Sequence, residues 1–506
     1  MFGFRPALML VWLVVCVLVA LRRPFFGAAA ILVHFILKEV CVVETYGYFD
    51  TLHFYEVMYI ATVAGVLLTQ EVPLGEFFPR TPVDWGIVGF FLVMLGSAAV
   101  NGVPVLSPYP AYKYVDLYFK AMVLYFLLSR LANTPRRLTV MAFALVAATS
   151  YLVFLAWSQV YSGALVYARP YWFSAFHDFG LQMVITLPLA GALLAARLGE
   201  ETRLAAGSLL AAYVAFTWWA ASIPAYPYAG IGAFVCLLLI ISFVTGEFPL
   251  GIRVALFTIL PLFVLVTLRS MSRASYLGAA LGLMMLGWYH RRRWYLVILA
   301  LPVVAYAVVH QTERVSARVE SLWTHRTRFG EEDTSIDMRK EQMRTAMRIV
   351  SSYPLLGIGP RQFFIRYHEW VSPEDFRGWA YTMHSVPLLI LTEEGFVGFA
   401  VYYGLIVLGA LLDAKRAAER ARDAPDLARV AVIGAGAFMS FLAWAAYSLG
   451  NAAMWTINIY GTVALVVATR RVVDAYYLGA AAAAEPAVRP ATQWQPRGPT
   501  TEVIFT

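Results

Sequence analysis

Residues 384–412 read HSVPLLILTEEGFVGFAVYYGLIVLGALL. The first apolar segment, residues 384–391, is too short to cross a bilayer, because a spanning helix needs about 20 apolar residues. Residues 392–395 then interrupt the pattern with two glutamates and a glycine, and only residues 396–412 are long enough to cross. Irregular backbone at that depth is tolerated only where it is buried in protein or lines a cavity. We therefore expect His384 to open a re-entrant or interfacial helix over a polar cavity.

The whole chain shares this apolar character. Of its 506 residues, 60% are hydrophobic and only 14% are charged, which excludes an ordinary soluble protein. About fifteen apolar runs reach or approach the length of a membrane span. We predict an all-α polytopic membrane protein, with a bundle of about 12 to 15 transmembrane helices and one large, partly helical external loop.

The net charge of +8 reflects membrane topology rather than nucleic acid binding. Most Lys and Arg residues stand in short clusters at the ends of apolar runs, and these clusters all fall on one side of the predicted bundle, which must be the cytoplasm. We therefore expect membrane lipids as partners and no nucleic acid. The polar stretch 311–383, here called the central loop, is then external, because long loops cross the membrane largely regardless of their charge.

Four regions follow from this interpretation. Residues 1–310 form an N-terminal transmembrane bundle, and residues 311–383 form an external catalytic loop. Residues 384–475 contain the re-entrant segment and the C-terminal transmembrane helices. Residues 476–506, rich in Ala and Pro, are predicted to be a disordered cytoplasmic tail.

Within the central loop, a helix is predicted to begin near Thr334, because Asp337 follows it at the spacing of a capping box. A projection at 100° per residue places an apolar stripe along this helix, on which Arg339 also falls. The stripe consists of Ile336, Met343, Ala346, Met347 and Val350, whereas Glu341, Arg344 and Arg348 fall on a solvated face. An arginine on a buried face needs an anionic partner or must snorkel, and a structural ion pair is the alternative to a ligand.

Two further residues point to chemistry on the external side. Arg273 stands at the outer end of a predicted span, where a charged residue suggests function, although snorkelling is the simpler alternative. His384 can act as a base near neutral pH. Arginines can hold a phosphate or pyrophosphate leaving group, while a histidine deprotonates or orients an acceptor hydroxyl. No acidic metal cage is evident, and the pair Glu393 and Glu394 is the one external acidic pair kept in reserve.

The order of these motifs resembles that of the O-antigen ligase and O-antigen polymerase superfamily of bacterial envelope enzymes. The resemblance covers roughly residues 267–398. Its motifs are Ser272-Arg-Ala, Arg339, the segment 351–363 (SSYPLLGIGPRQF) with Gly357 and Gly359, His384-Ser, and Glu393-Glu-Gly395 followed by Phe-Val-Gly398. Ser385 stands where the family usually has Asn.

This resemblance implies a GT-C-like, metal-independent inverting glycosyltransferase without a cofactor. Its donor would be an undecaprenyl-pyrophosphate-linked glycan, and its acceptor lipid A-core or another glycan or protein hydroxyl. By the same resemblance, Arg273 and Arg339 bind the donor pyrophosphate and His384 is catalytic, while Gly357, Gly359, Glu393 and Gly395 support the loop. The site would face the periplasm from the bacterial inner membrane.

An O-antigen ligase is the leading interpretation, and three alternatives stay open. A polymerase that extends carrier-linked chains and a protein O-oligosaccharyltransferase would use the same motifs. A lipid-linked glycan transporter would instead place ionisable residues deep in several spans. The few candidates for that arrangement are Lys38, Glu39, Lys120 and the break at Glu393.

Overall fold

The structure is a computed structural model that describes most of the chain in several ranges. These are residues 4–36, 53–105, 110–161, 176–195, 334–373, 383–451 and 457–484, with single positions between 263 and 282. Within these ranges every regular element is helical, and no strand occurs. The prediction of an all-helical polytopic membrane protein is confirmed.

The helices are numbered here in chain order. Those before the central loop are α1 (Phe4–Arg22), α2 (Pro24–Ile36), α3 (Phe54–Thr69), α4 (Pro82–Val100), α5 (Pro110–Leu131), α6 (Pro135–Tyr161) and α7 (Phe176–Ala195). Those from the central loop onwards are α8 (Thr334–Ser352), α9 (Gln362–Ile365), α10 (Tyr367–Trp370), α11 (Val386–Glu393), α12 (Gly395–Arg422), α13 (Ala428–Ser448) and α14 (Ile457–Ala484). Every predicted apolar run that falls on described residues is helical.

Within the described ranges, three helices are long and apolar enough to cross a membrane. They are Pro82–Val100, Gly395–Arg422 and Pro425–Ser448. Shorter apolar helices occupy Leu10–Arg22, Pro24–Ile36, Phe54–Thr69 and Gly180–Leu193. As predicted, the segment after His384 forms a helix of only eight residues, α11, before the spanning helix α12 begins.

The bundle is built around α13, which packs against α7, α12 and α14, while α5 packs against α14 and α4 against the start of α12. Small residues allow these close approaches, as is usual between membrane helices. In the segment 433–437 of α13, IGAGA, a Cβ added at Gly436 would lie 2.7 Å from the Cβ of Ala192 in α7. Residues 400–407 of α12 form a π-helical segment that packs on α4.

Ion pairs join several chain connections at one end of the bundle. Arg471 of α14 pairs with Glu76 at 2.6 Å, and Arg137 of α6 pairs with Glu71. Arg420 pairs with Asp474 at 2.8 Å. These residues come from the clusters predicted to share the cytoplasmic side, so the fold brings those clusters together at one end, here called the basic end.

At the basic end, Arg130 and Asp84 form an ion pair that is fully buried. Their side chains are 0% exposed and lie 2.8 Å apart. The hydroxyl of Tyr125 also donates to Asp84 at 2.6 Å, and the other carboxylate oxygen closes a capping box with Thr81 at the start of α4. A buried carboxylate is tolerated here because several donors surround it.

The central loop has a small apolar core of its own. Ala346 and Ile349 of α8 pack with Ile358, Phe363, Tyr367 and Val371, and the cluster continues into Met383 and Leu389. Because Leu389 belongs to α11, this core joins the central loop to the re-entrant segment. The loop therefore lies on the end of the bundle opposite the basic end, where α4 ends and α5, α12 and α14 begin.

The predicted C-terminal tail differs from the structure at its start. Helix α14 continues to Ala484, past residue 476 where the tail was expected to begin. The alanine-rich sequence explains the extension, since alanine is the best helix former. Tyr476 and Tyr477 also hold this segment by donating to Asp426 and to the carbonyl of Arg420. Residues 485–506 lie outside the described ranges.

Candidate functional site

Helix α8 begins at Thr334, as predicted, but its buried face differs from the predicted stripe. Met343 and Met347 are 55% and 50% exposed, whereas Ala346 and Val350 are buried. The buried face also contains Gln342, Thr345 and Ile349. The predicted stripe was therefore only partly correct. The apolar character of residues alone does not reveal which polar side chains have hydrogen-bond partners in the protein interior.

The prediction was most clearly wrong for Glu341 of α8. It was interpreted as solvated, yet it is 2% exposed, and its carboxylate accepts a hydrogen bond from the hydroxyl of Tyr367 in α10. That donor, some distance away in sequence, makes the burial of the carboxylate tolerable. Arg344 and Arg348 are exposed, as predicted, and Arg348 donates to the carbonyl of Trp370 at 2.9 Å.

His384 lies at the start of α11, in contact with α8 and with the end of α13. Its backbone N–H donates to Oε1 of Gln342 at 3.2 Å. Burial lowers the pKa of the His384 imidazole, the positive charge of Arg339 lowers it further, and a hydrogen bond with Asn451 acts in the opposite direction. Asn451 follows α13 and donates from Nδ2 to the hydroxyl of Tyr447 at 2.6 Å. The fold thus brings the predicted residues His384 and Arg339 together.

The PLLGIGP turn, residues 354–360, docks on the break between α11 and α12. The N–H groups of Ile358 and Gly359 donate to the carbonyls of Thr392 and Glu393, both at 2.9 Å. In return, the N–H of Phe396 donates to the carbonyl of Pro354 at 2.8 Å. The two segments, predicted only as separate motifs, form one hydrogen-bonded unit.

Two glycines make this docking possible. Gly357 and Gly395 have φ angles of 64° and 67°, in the left-handed region that glycine adopts without steric cost. A Cβ at Gly357 would lie 2.5 Å from the backbone of Glu393, and one at Gly395 would lie 2.3 Å from the carbonyl oxygen of Leu355. The motif needs glycine at both positions for backbone conformation and for close approach.

The end of α4 supports the same unit from below. Ser97 donates its hydroxyl to the carbonyls of Leu356 and Glu393, the latter at 2.8 Å, and Asn101 donates to the carbonyl of Gly357 at 3.0 Å. Sequence reasoning missed these two residues, as it missed Gln342 and Asn451. For Ser97, Asn101 and Asn451 the one signal is a polar residue at the end of an apolar helix, which is too common to single out.

Glu393 and Glu394, the acidic pair kept in reserve by the sequence analysis, are both buried. The Glu393 carboxylate accepts the N–H of Phe363 at 3.2 Å, so it caps the start of α9. Burial raises the pKa of Glu393, and burial together with the neighbouring Glu393 raises the pKa of Glu394 well above its ordinary value. Both oxygens of Glu394 lack a hydrogen-bond partner within the described part of the chain.

Arg273 lies outside the described residues. Nearby positions of the same segment are described: Ser275 is buried, and Gly278 and Gly282 pack against α7 and α13. A Cβ at Gly278 would lie 3.1 Å from the carbonyl oxygen of Ala443 in α13. This segment therefore borders the helix whose end supplies Tyr447 and is followed by Asn451.

Lys120, considered above for a transporter, is part of an ion-pair cluster. It pairs with Glu56 at 2.6 Å and with Asp116 at 2.8 Å. Lys38 and Glu39 lie outside the described residues. The charge of Lys120 is therefore compensated within the bundle.

Fold and site together define a multi-pass membrane protein whose polar residues converge at one end of a helical bundle. Residues 255–403 match the family model described as Wzy_C, O-antigen ligase, and thus form an O-antigen ligase family domain. This range contains Arg273, Arg339, His384, Glu393 and Gly395. Domains of this family belong to membrane enzymes of the O-antigen ligase and polymerase type, which act on lipid-linked glycans. No curated protein matches the chain.

Proposed function

We propose that this protein transfers a glycan from an undecaprenyl-pyrophosphate carrier to an acceptor hydroxyl at the outer face of the bacterial inner membrane. The acceptor that we propose is lipid A-core, which makes the enzyme an O-antigen ligase. The family domain supports glycan transfer in general. The observation that carries the proposal is the juxtaposition of His384 and Arg339. The backbone of His384 is hydrogen-bonded to Gln342, three residues after Arg339 on α8, and the charge of Arg339 lowers the pKa of the imidazole.

In this proposal His384 is the general base. Its pKa lies below the ordinary value, so the imidazole is neutral at physiological pH and can accept a proton. Gln342 holds the backbone of His384, and Asn451 contacts the ring. These two contacts orient the imidazole towards the acceptor.

The proposed reaction is a single displacement with inversion. The acceptor oxygen forms a bond to the anomeric carbon while the bond from that carbon to the pyrophosphate oxygen breaks. The hydroxyl proton passes to His384, and undecaprenyl pyrophosphate leaves with the bonding electron pair. Arg339 stabilises the charge that develops on the pyrophosphate. We assign the same role to Arg273, and we propose that the reaction needs no metal.

We also propose that the central loop is a cap over the bundle rather than a separate domain. Its core includes Leu389 of α11, and its PLLGIGP turn is hydrogen-bonded to the start of α12. These contacts support the division into a bundle (1–310), a catalytic loop (311–383) and a C-terminal region (384–475). The site at the end opposite the basic end would then face the periplasm.

The first test is glycan transfer by the His384→Ala variant with a carrier-linked donor and purified lipid A-core. We expect turnover to fall by at least about 100-fold, the typical contribution of a general base. His368→Ala is the matched control, since His368 is exposed on α10 and should tolerate the change. Wild-type turnover by His384→Ala would overturn the proposed role.

The products distinguish the related activities. A ligase requires lipid A-core, whereas a polymerase forms longer chains from carrier-linked substrate alone, and a protein glycosyltransferase needs a polypeptide acceptor. Activity that persists in excess EDTA would support the metal-independent reaction, and its loss would contradict it. Movement of lipid-linked glycan across proteoliposomes without any transfer would favour a transporter instead.

A further inference from the structure

Arg361 occupies an unusual position directly after the PLLGIGP turn. Its φ angle is 66°, in the left-handed region that residues other than glycine rarely adopt. The surrounding backbone holds it there: the N–H of Gln362 donates to the carbonyl of Gly359, and Glu393 caps the helix that follows. Such conformations persist where neighbouring contacts impose them, and they occur often at ligand sites.

The guanidinium group of Arg361 contacts two aromatic rings. Its central carbon is 4.5 Å from the ring centre of Tyr114 in α5 and 4.4 Å from that of Phe364 in α9. Both distances are within the range of cation–π contacts. The N–H donors of a guanidinium group lie in its plane, so contacts with ring faces leave them available to a ligand.

These donors have no acceptor in the described part of the chain. The side chain forms neither a hydrogen bond nor an ion pair there, and Glu393, the carboxylate that acts on its charge, instead accepts backbone N–H groups. The side chain is half-buried. A fixed, partly desolvated guanidinium with open donors is suited to bind a carboxylate or a phosphate group in a two-pronged manner.

Arg361 is separated from His384 by the length of α11. Glu393, at the far end of that helix, accepts the N–H groups of Gly359 and Phe363, which flank Arg361 in sequence. Eight residues of helix extend about 12 Å. An anion bound by Arg361 would therefore lie well away from a pyrophosphate positioned beside His384 and Arg339.

We propose that Arg361 binds an acidic substituent, a carboxylate or a phosphate ester, on the glycan of the substrate and makes the enzyme select acidic glycans. This inference rests on the glycan transfer proposed above. It assigns to Arg361 a role in substrate choice, separate from the chemical step at His384.

The test measures binding of two disaccharides to the full-length protein in lipid nanodiscs. The probes are glucose linked to glucuronic acid and the neutral glucose–glucose disaccharide with the same linkage. We expect the acidic probe to bind at least about tenfold more tightly, as one charge-assisted contact provides. Equal binding of the two probes, or binding of neither, would overturn the inference.

Three variants make the test specific. Arg361→Asn removes the cation while asparagine tolerates the left-handed conformation, so it should abolish the preference. Arg361→Lys retains the positive charge but lacks the planar guanidinium group, so it should retain part of the preference for the acidic probe. The matched control, Arg348→Gln, changes an exposed arginine of α8 and should leave the preference intact. An unchanged preference in Arg361→Asn would contradict the assignment.

Nanodisc composition separates a glycan from a lipid headgroup as the bound anion. The preference for the acidic disaccharide should be the same in nanodiscs of phosphatidylcholine and in nanodiscs of phosphatidylglycerol. If phosphatidylglycerol removes it, the headgroup phosphate is the ligand and the glycan assignment fails. Transfer activity separates this inference from the proposed function: selective binding without any transfer would overturn the function alone, and transfer unaffected by Arg361→Asn would overturn the inference alone.

Discussion

The backbone N–H of His384 donates a hydrogen bond of 3.2 Å to the side-chain oxygen of Gln342. This contact joins the start of α11 to α8, one turn along the helix from Arg339. Gln342 is buried, so water cannot replace it as an acceptor without rearrangement. The amide side chain of Gln342 therefore helps to set the relative placement of the proposed base and the proposed anion-binding arginine.

Replacing Gln342 should impair transfer more than it impairs donor binding. Gln342→Ala leaves the N–H of His384 without its acceptor, at a cost of about 1–3 kcal/mol. We expect kcat to fall roughly tenfold or more, with a smaller change in KM, because the imidazole loses its orientation. Ser351→Ala, an exposed change on the same helix, is the control. Equal effects of the two variants on kcat would contradict a positioning role for Gln342.

Removing the charge of Arg339 should raise the pKa of His384. Burial is the first cause of the lowered pKa and Arg339 the second, so Arg339→Gln moves the value only part of the way back. Diethyl pyrocarbonate modifies neutral imidazole, so the pH midpoint for modification of His384 should shift upward in the variant. The signal is identified by its loss in His384→Ala. An unchanged midpoint would show that the two side chains do not interact.

A side chain at position 395 should destabilise the protein strongly. Gly395→Ala places a Cβ 2.3 Å from the carbonyl oxygen of Leu355 and forces alanine into the left-handed region, which alone costs about 1–2 kcal/mol. We expect a loss of at least about 2 kcal/mol, measured by unfolding in detergent. At Gly404, a Cβ would meet nothing within 4 Å, so Gly404→Ala should be close to neutral. Similar stability of both variants would contradict the docking described here.

The buried Glu394 should make stability depend on pH. A carboxyl group whose pKa is raised on folding stabilises most below its unfolded pKa, about 4.3, and that stability is lost as pH rises towards the folded value. Glu394→Gln removes this loss and sacrifices no hydrogen bond within the described part of the chain. We expect its Tm to exceed that of the wild type by a few degrees at pH 8 and by less at pH 4.5. A lower Tm at pH 8 would show that the carboxylate is needed in its charged form.

The buried pair at the basic end should be sensitive to the loss of one partner. Asp84→Ala leaves Arg130 buried without its carboxylate, at an expected cost of about 3–5 kcal/mol. Arg80→Ala removes a pair that is 52% exposed on the arginine side and should cost less than about 1 kcal/mol. Unfolding of the two variants in detergent provides the comparison. Comparable losses would indicate that the Asp84 pair is not desolvated in the membrane.

The sequence by itself determined the class of the protein and the residues worth examining. The apolar runs predicted helices, the basic clusters fell at one end of the bundle, and the break at residues 392–395 correctly separated the short helix α11 from the spanning helix α12. These features are local: hydrophobic length, charge and a glycine in a positive-φ position are encoded in a few neighbouring residues.

Tertiary structure decided which polar groups meet. Glu341 is buried because Tyr367 supplies a donor, and Arg339 acts on His384 because Gln342 and Asn451 hold that residue between α8 and the end of α13. Likewise, Arg361 contacts the rings of Tyr114 and Phe364, and Tyr114 lies far away in sequence. Such pairings depend on long-range packing, and hydrophobic periodicity contains no information about the partner that makes a buried polar side chain acceptable.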